Sequence, residues 1–536
     1  MTDVGSLLPL VAVGIPILGV FGIVATRQSP NLRESITIAT ALLTLVTVAA
    51  MVPSVLAGDV PTTALGTFVP GVPFVLRADA LGMIFGLLAS FLWVITSFYS
   101  IGYMRGLEEH SQTRYYAAFA GSIASAVGVA FAANLIVLYV FYELLTVATY
   151  PLVTHDETEE ARIAGRKYLA YTFGGGVAAL AGTALIYVAA GTVTFSRGGI
   201  AELVGTDPLI GQVAFALLAV GFGVKAAVMP IHSWLPDAMV APTPVSGLLH
   251  AVAVVKSGVF AIARVVIDVY GPERMAELGL GLPLAVAAGF TIIVASVIAL
   301  RQDNLKRRLA YSTISQLSYI VLGLGLLSPA ALVGGLLHIP AHGFMKLTLF
   351  FAAGAIHVET HTDDISDMAG IGRRMPLTMA AFALASVGMA GLPLVAGFVS
   401  KWYLLVGSLD AGQPVFVVVL LASGLLNIAY FWPIVYQAFF QSPDDADEKP
   451  LVEFKLGGST SRADGGSTQE KAGDHHGGPP PGGWEKRGFG EESSWFMLGP
   501  IVVAVAGAVV LGIDPAGAIF LELIQQVVTG ATGVVI

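Results

Sequence analysis

The sequence predicts an all-α polytopic membrane protein with about fourteen transmembrane helices, and three observations carry that prediction. Only 12% of the 536 residues are charged while 55% are hydrophobic, against about 25% charged in ordinary soluble proteins. Apolar runs of membrane-crossing length recur along nearly the whole chain, each close to the roughly 20 residues that a hydrocarbon core about 30 Å thick demands. The basic residues also alternate in placement. Lys and Arg in short loops stay on the cytoplasmic side; with the N-terminus outside, the inner connections hold nineteen of them and the outer ones only Arg77, Arg197 and Arg274. One missed span would scramble that asymmetry, so it supports the helix count and places both termini outside.

In order, the runs lie near residues 5–25, 34–57, 79–101, 113–131, 133–151, 168–190, 209–229, 243–267, 281–300, 309–327, 329–355, 375–407, 414–440 and 494–513. The first follows "MTDVG", which carries an acid where a secretory signal has basic residues, and is read as a retained helix. The seventh and twelfth are interrupted, by Pro230 and by Gly391, Pro393 and Gly397. Proline removes a backbone donor and clashes with the preceding turn. Two interrupted segments five spans apart, each bearing a lysine, suggest a duplication, and paired broken helices in corresponding halves point to a transport site. The expected organisation is three N-terminal helices (1–112), one five-helix repeat (113–268), a second (269–440), a polar cytoplasmic loop (441–493), and a last helix with its tail (494–536).

The chain has no cysteine, which excludes disulfides, thiol chemistry and cysteine-ligated haem or iron–sulfur clusters within it. No cofactor or resident metal is expected, and no nucleic-acid partner. Glycine-rich stretches at 174–176, 279–281 and 321–325 lie in apolar runs, where small residues serve close helix packing rather than phosphate binding. The loop from Ser442 to Ser493 is rich in Pro, Gly and polar residues and reads as flexible; its adjacent His475 and His476 lack further ligands at a metal-site spacing. The tail "PAGAIFLELIQQVVTGATGVVI" reads as an interfacial or docking helix.

Function is carried by charges inside the spans. An ionised side chain at the bilayer centre costs about 2.5–3.5 kcal/mol on insertion scales and normally faces a partner or a wet cavity. Lys225, Lys256, Arg264, Lys346 and Lys401 lie within spans; Arg264, near an end, is expected to snorkel outward, an escape the four lysines cannot all share. Glu143 is the deepest acid in any run, and Lys225, similarly deep in the seventh span, is its natural partner. A fixed structural ion pair is the alternative. The eighth span brings His250 and Lys256; the eleventh brings His338, His342 and Lys346 at successive four-residue steps, hence on one helical face. Three titratable groups in a row suggest a proton relay more than isolated helix contacts. A metal pair at His338 and His342 lacks an acidic third ligand on that helix.

Four ordered motifs, "KAAVMPIHSWLPDAMVAPTPVSGLLHAVAVVKSGVF" (225–260), "QDNLKRRLAYSTISQLSYIVLG" (302–323), "HIPAHGFMKLTLFFAAGAI" (338–356) and "GLPLVAGFVSKWYL" (391–404), resemble the antiporter-like membrane subunits shared by Mrp-type cation/proton antiporters, respiratory complex I and membrane-bound hydrogenases. The likeness covers about residues 79–440, and "GIGRRMPLTMAAFALASVGMAGLP" resembles the D-type Mrp subunit most. The resemblance implies fourteen helices with two inverted five-helix repeats containing broken helices 7 and 12. It makes Glu143 and Lys225 the glutamate–lysine pair of the first half-channel, Lys256 with His250 its continuation, His338 and His342 the link to the second half, and Lys401 the terminal lysine. The terminal lysine suits D-type Mrp and L-type complex I subunits better than M-type ones, though the long lateral helix of L-type subunits is not found.

The expected function is that of a proton-translocating subunit of a multisubunit monovalent cation (sodium)/proton antiporter. It would sit in a prokaryotic plasma membrane among other hydrophobic subunits, with protons as its cargo and sodium as the candidate for the exchanged cation. Two alternatives stand beside it: a proton-pumping subunit of a complex I-like NADH:quinone oxidoreductase or membrane-bound hydrogenase, and a mainly scaffolding subunit. In each, the chain is not itself an enzyme, and any redox chemistry belongs to the assembly.

Overall fold

The computed structural model describes residues 2–442, 477–480 and 482–535. Eleven of the fourteen expected runs hold a helical stretch long and apolar enough to cross a membrane. The other three depart from that pattern in informative ways. The fourth, Gln112–Phe131, is one unbroken helix of 20 residues whose serines and glycines dilute its apolar character. The eighth is assembled from Thr243–Gly247, a π-helical turn Leu248–Val252, Val254–Arg264 and a second π-helical stretch Val265–Tyr270. The twelfth is cut into Pro376–Ala390 and Ala396–Asp410.

The seventh run is cut as well. Its helix spans Pro208–Lys225, and a single turn Trp234–Asp237 resumes beyond an irregular stretch holding Pro230. Two spans exceed their apolar runs: the sixth begins at Glu159, capped by the Thr158 hydroxyl accepting from Ala161 N, and ends at Ala190; the eleventh runs Pro329–Thr360. At about 1.5 Å per residue, 32 residues reach well past the hydrocarbon core. In the sixth span this sets the basic cluster Arg162, Arg166 and Lys167 in the overhanging first turns.

Among the described residues helix is joined by one small sheet, in stretches that the sequence reading leaves as loop. Strand β1 (Thr2–Gly5) lies parallel to β2 (Asp59–Val69), which turns at Gly71, φ +81°, into antiparallel β3 (Val72–Arg77). It caps one end of the bundle, where β3 reaches Ala132 and Asn134 bridges to Thr194. Arg77 donates to the Phe195 carbonyl at 3.0 Å, and Ser196 N to the Asp268 carbonyl at 3.0 Å. The expected inner connections meet at the opposite end. There Arg105 pairs with Glu34 at 2.5 Å, Arg114 with Glu157, and Leu305 N donates to the Asp363 carbonyl at 2.9 Å. Segregating the two sets of loops is what fourteen alternating spans require.

Spans three (Ala80–Gly106), ten (Leu305–Leu326) and eleven are buried on nearly all sides and form the centre; spans one, six and thirteen turn most of their surface outward. The glycines at 175 and 176 serve close packing, as expected. Gly175 lies against the seventh span at Gly221 and Val224, and Gly176 leaves no room for a Cβ beside the Glu143 carboxylate.

Most of the 441–493 loop, including His475 and His476, falls outside the described residues. Its last part is anchored, not loose. The Trp484 indole donates to the Ala369 carbonyl at 2.7 Å, and the buried Glu492 carboxylate accepts from Leu377 N at 2.8 Å and Thr378 N at 2.6 Å. The twelfth span's opening turn is thereby capped from a remote segment. The tail forms Phe520–Thr532, which buries Leu523, Ile524 and Val528 against the bundle.

Candidate functional site

The seventh span starts at an Asp207 cap, whose carboxylate accepts from Leu209 N at 2.8 Å, and its helix ends on Lys225 itself. Beyond it Ala227 takes φ +53° with its N–H on the Val224 carbonyl at 3.1 Å, and the Trp234 indole donates to the same carbonyl from across the break at 2.8 Å. Lys225 is therefore not needed to repair its own helix. It is fully buried; Nζ donates to the Tyr142 carbonyl and sits 3.5 Å from the Tyr142 ring centroid.

Glu143, the next residue along the fifth span (Leu135–Val153), packs its carboxylate onto Gly176. Among the described residues no hydrogen bond reaches either of its oxygens and no ion pair within 4.0 Å joins it to Lys225. The structure thus brings the expected partners to adjacent backbone positions but holds the ammonium on the carbonyl beside the carboxylate.

At the centre, Lys256 Nζ meets His342 Nδ1 at 2.7 Å. His250 occupies the first π-helical turn with its ring 4.9 Å from that of Phe350, and among the described residues neither of its nitrogens has a hydrogen-bond partner. A π turn admits an extra residue into the helical winding, and such turns concentrate at functional sites. Here one separates His250 from Lys256 and lets the two face different neighbours.

The three groups on the eleventh span divide. His342 joins Lys256. His338, whose ring centroid is 6.0 Å from that of His342, is held at both nitrogens: Nδ1 by Ser400 Oγ at 2.9 Å and Nε2 by Gln316 Oε1 at 2.9 Å. Gln316 in turn donates to Asn427 Oδ1 at 3.0 Å, which also accepts from Tyr430. Lys346 turns to the tenth span instead, donating to the Leu309 carbonyl at 3.1 Å and to Ser312 Oγ. Lys401 follows Ser400 in the twelfth span. Its Nζ reaches back across the break to the Met389 carbonyl at 2.5 Å and stands 4.8 Å from the ring of Tyr319, which stacks on His338.

Seven of the eight expected residues are fully or nearly fully buried, and Glu143 is partly so with its carboxylate oxygens covered. They follow a line across the bundle from the fifth span through the seventh, eighth and eleventh to the twelfth. Ser400, Gln316 and Asn427 complete the line, and sequence reasoning missed them. Their signal was available, since an uncharged polar side chain in an apolar run also needs a partner, but a single serine or amide is weaker notice than a lysine.

Arg264 requires a correction, because it does not snorkel. Its guanidinium is 1% exposed, takes both Asp79 oxygens at 2.7 Å and adds Asp268 at 2.8 Å. The planar fork of arginine favours bidentate carboxylate pairing, and the partner four residues on lies on the same helical face. That spacing is legible in the sequence; Asp79, 185 residues away, is not.

With this geometry in hand, comparison with known proteins is decisive about family. The model for the NADH:quinone oxidoreductase/Mrp antiporter membrane region matches residues 132–426, which contain all eight expected residues. The NADH-quinone oxidoreductase subunit N of Desulforudis audaxviator is 34% identical over 71% of this chain and 76% of that protein. The A-type subunit of the Na(+)/H(+) antiporter of Alkalihalophilus pseudofirmus is 36% identical over 62% of this chain and 42% of its own length. The solved Mrp complex from Dietzia sp. DQ12-45-1b contains a chain of the same fold, with TM-score 0.80, 23% identity, and 98% and 97% of the two chains covered. The chain belongs to the membrane-subunit family shared by Mrp antiporters and NADH:quinone oxidoreductases.

Proposed function

We propose that the chain is the proton-carrying subunit of a multisubunit monovalent cation/proton antiporter of the Mrp type, most like its D-type subunit. It works beside other hydrophobic subunits in a prokaryotic plasma membrane, with both termini outward. The observation that carries this reading is a buried row of separate polar pairs between the two broken spans, Lys225 on the Tyr142 carbonyl, Lys256 on His342, His338 between Ser400 and Gln316, and Lys401 on the Met389 carbonyl, which bridging water would join. A hydrogen-bonded chain that changes its donor–acceptor sense one member at a time is a route for protons. Lys225 supplies the switch. Turned to Glu143 its ammonium is held by an opposite charge; turned to the neutral Tyr142 carbonyl, as here, it is free to pass a proton toward Lys256 and the histidines.

Sodium as the exchanged cation is supported by the name of the Alkalihalophilus relative, of which this chain spans less than half. A second reading, a pump subunit in a redox-driven assembly, draws on the Desulforudis relative, of which the chain spans 76%. The partners that purify with the chain separate the two: flavin-, iron–sulfur- or quinone-reducing proteins favour the redox assembly, small hydrophobic subunits the antiporter. The test of the path is Lys225→Ala in the assembled complex, with antiport read as a sodium-induced collapse of the pH gradient in inverted vesicles. Flux should disappear while assembly persists. Undiminished flux sinks the reading, and Glu143→Gln losing assembly along with flux would instead favour a scaffolding role.

A further inference from the structure

A group of ligating side chains lies outside the path, at the inner end of the bundle. The connection between spans three and four offers Glu109 and His110, and the connection following span five offers His155. One ligand atom from each lies within 4.8 Å of the others. Glu109 Oε2 is 3.7 Å from His110 Nδ1 and 3.8 Å from His155 Nε2.

Two features separate this group from a chance meeting of polar loops. The His155 side chain is completely buried, yet among the described residues neither ring nitrogen has a hydrogen-bond partner, and Nε2 faces the Glu109 carboxylate. His110 Nε2 lies 3.0 Å from the His155 main-chain carbonyl. A carbonyl only accepts, so Nε2 carries the proton and the lone pair is on Nδ1, toward Glu109. Metal-ligating histidines are held in this way, the far nitrogen donating to a carbonyl so that the near one is fixed for the ion.

We propose that Glu109, His110 and His155 bind a first-row divalent cation of the zinc class. Two imidazole nitrogens and one carboxylate oxygen are a donor set suited to Zn²⁺, with water completing four-coordination. Metal–ligand bonds near 2.0–2.2 Å require the three groups to draw together by about an ångström or less, and the half-exposed His110 side chain leaves the entrance open. An ion here staples the connection before span four to the one after span five, and so ties the N-terminal helices to the first repeat.

The test uses the full chain in lipid nanodiscs, stripped with chelator, in a His475→Ala/His476→Ala background that removes the adjacent loop histidines as a rival site. Co²⁺ is titrated and its visible ligand-field bands followed, then displaced with Zn²⁺. One Co²⁺ per chain with intense, low-symmetry bands is expected, and His110→Ala or Glu109→Gln should weaken Zn²⁺ binding at least about tenfold. Both changed residues lie at the rim, so folding, checked by tryptophan fluorescence, should persist. Absence of those bands in the background protein, or binding that survives both substitutions, overturns the proposal. Equally, a site present in the unmodified chain and lost in the loop background assigns the metal to the loop and overturns it.

Discussion

The two broken spans solve one problem in different ways. In the seventh, the Val224 carbonyl at the break accepts from Ala227 N within the turn and from Trp234 beyond it, and Lys225 donates to a neighbouring span. In the twelfth, the carbonyl freed at Met389 is capped by Lys401 itself. The positions differ too: Lys225 closes the half-helix before its break, whereas Lys401 lies in the half-helix after it. Non-helical backbone at membrane depth persists only where protein or water satisfies it. One lysine is thus spent on the span that carries Glu143, and the other is also part of the masonry of its own span.

The comparison breaks most visibly at the glycines. A Cβ at Gly397 would overlap the Gly388 carbonyl, whereas one at Gly223 would meet only Ile231 Cδ1 at 3.5 Å. Gly397→Ala should therefore cost about 3 kcal/mol, the upper end for overpacking, and Gly223→Ala should stay within about 1 kcal/mol of the parent; thermal unfolding in nanodiscs reads both. Next come the lysines. Lys401→Met strands the Met389 carbonyl at the helix break and should cost about 1–3 kcal/mol. Lys225→Met leaves the Tyr142 carbonyl inside an unbroken helix and should cost less, while both abolish flux in vesicles. Equal destabilisation by the two would remove the distinction drawn above. Trp234→Phe removes one of the two donors to the Val224 carbonyl and should cost about 1 kcal/mol or less while sparing transport at saturating cation. The smallest effect concerns the helix starts. Asp207→Ala removes a local, exposed cap and Glu492→Ala a remote, buried one, each about 1 kcal/mol or less, the latter the larger.

Much of this is legible because lipid is an intolerant solvent. An apolar run, a proline inside it and a lysine beside the proline each demand explanation from sequence alone, and they lead to the fourteen spans, both breaks and the eight charged or titratable residues. What stays hidden depends on pairing across the chain. Nothing local says that Asp79 holds Arg264, that Ser400 and Gln316 hold His338 from two helices, or that Glu109 and His155 meet. The hairpin at 59–77 escapes notice because "TFVPGVPFV" carries prolines that weaken a strand reading. The π turns, one holding His250 and the other following Arg264, have no periodic signal of their own.

The remote cap on the twelfth span bears on the order in which the molecule is made. The start of Pro376–Ala390 emerges from the ribosome about 115 residues before Glu492, a delay of roughly 6–23 s at ordinary synthesis rates. Throughout that interval two amides at its start, Leu377 and Thr378, lack the carboxylate that closes them in the finished protein. The second broken span is therefore a late joint. It is locked only when the segment leading into the final helix has arrived, so that premature termination anywhere between them leaves the terminal lysine on an unfinished hinge.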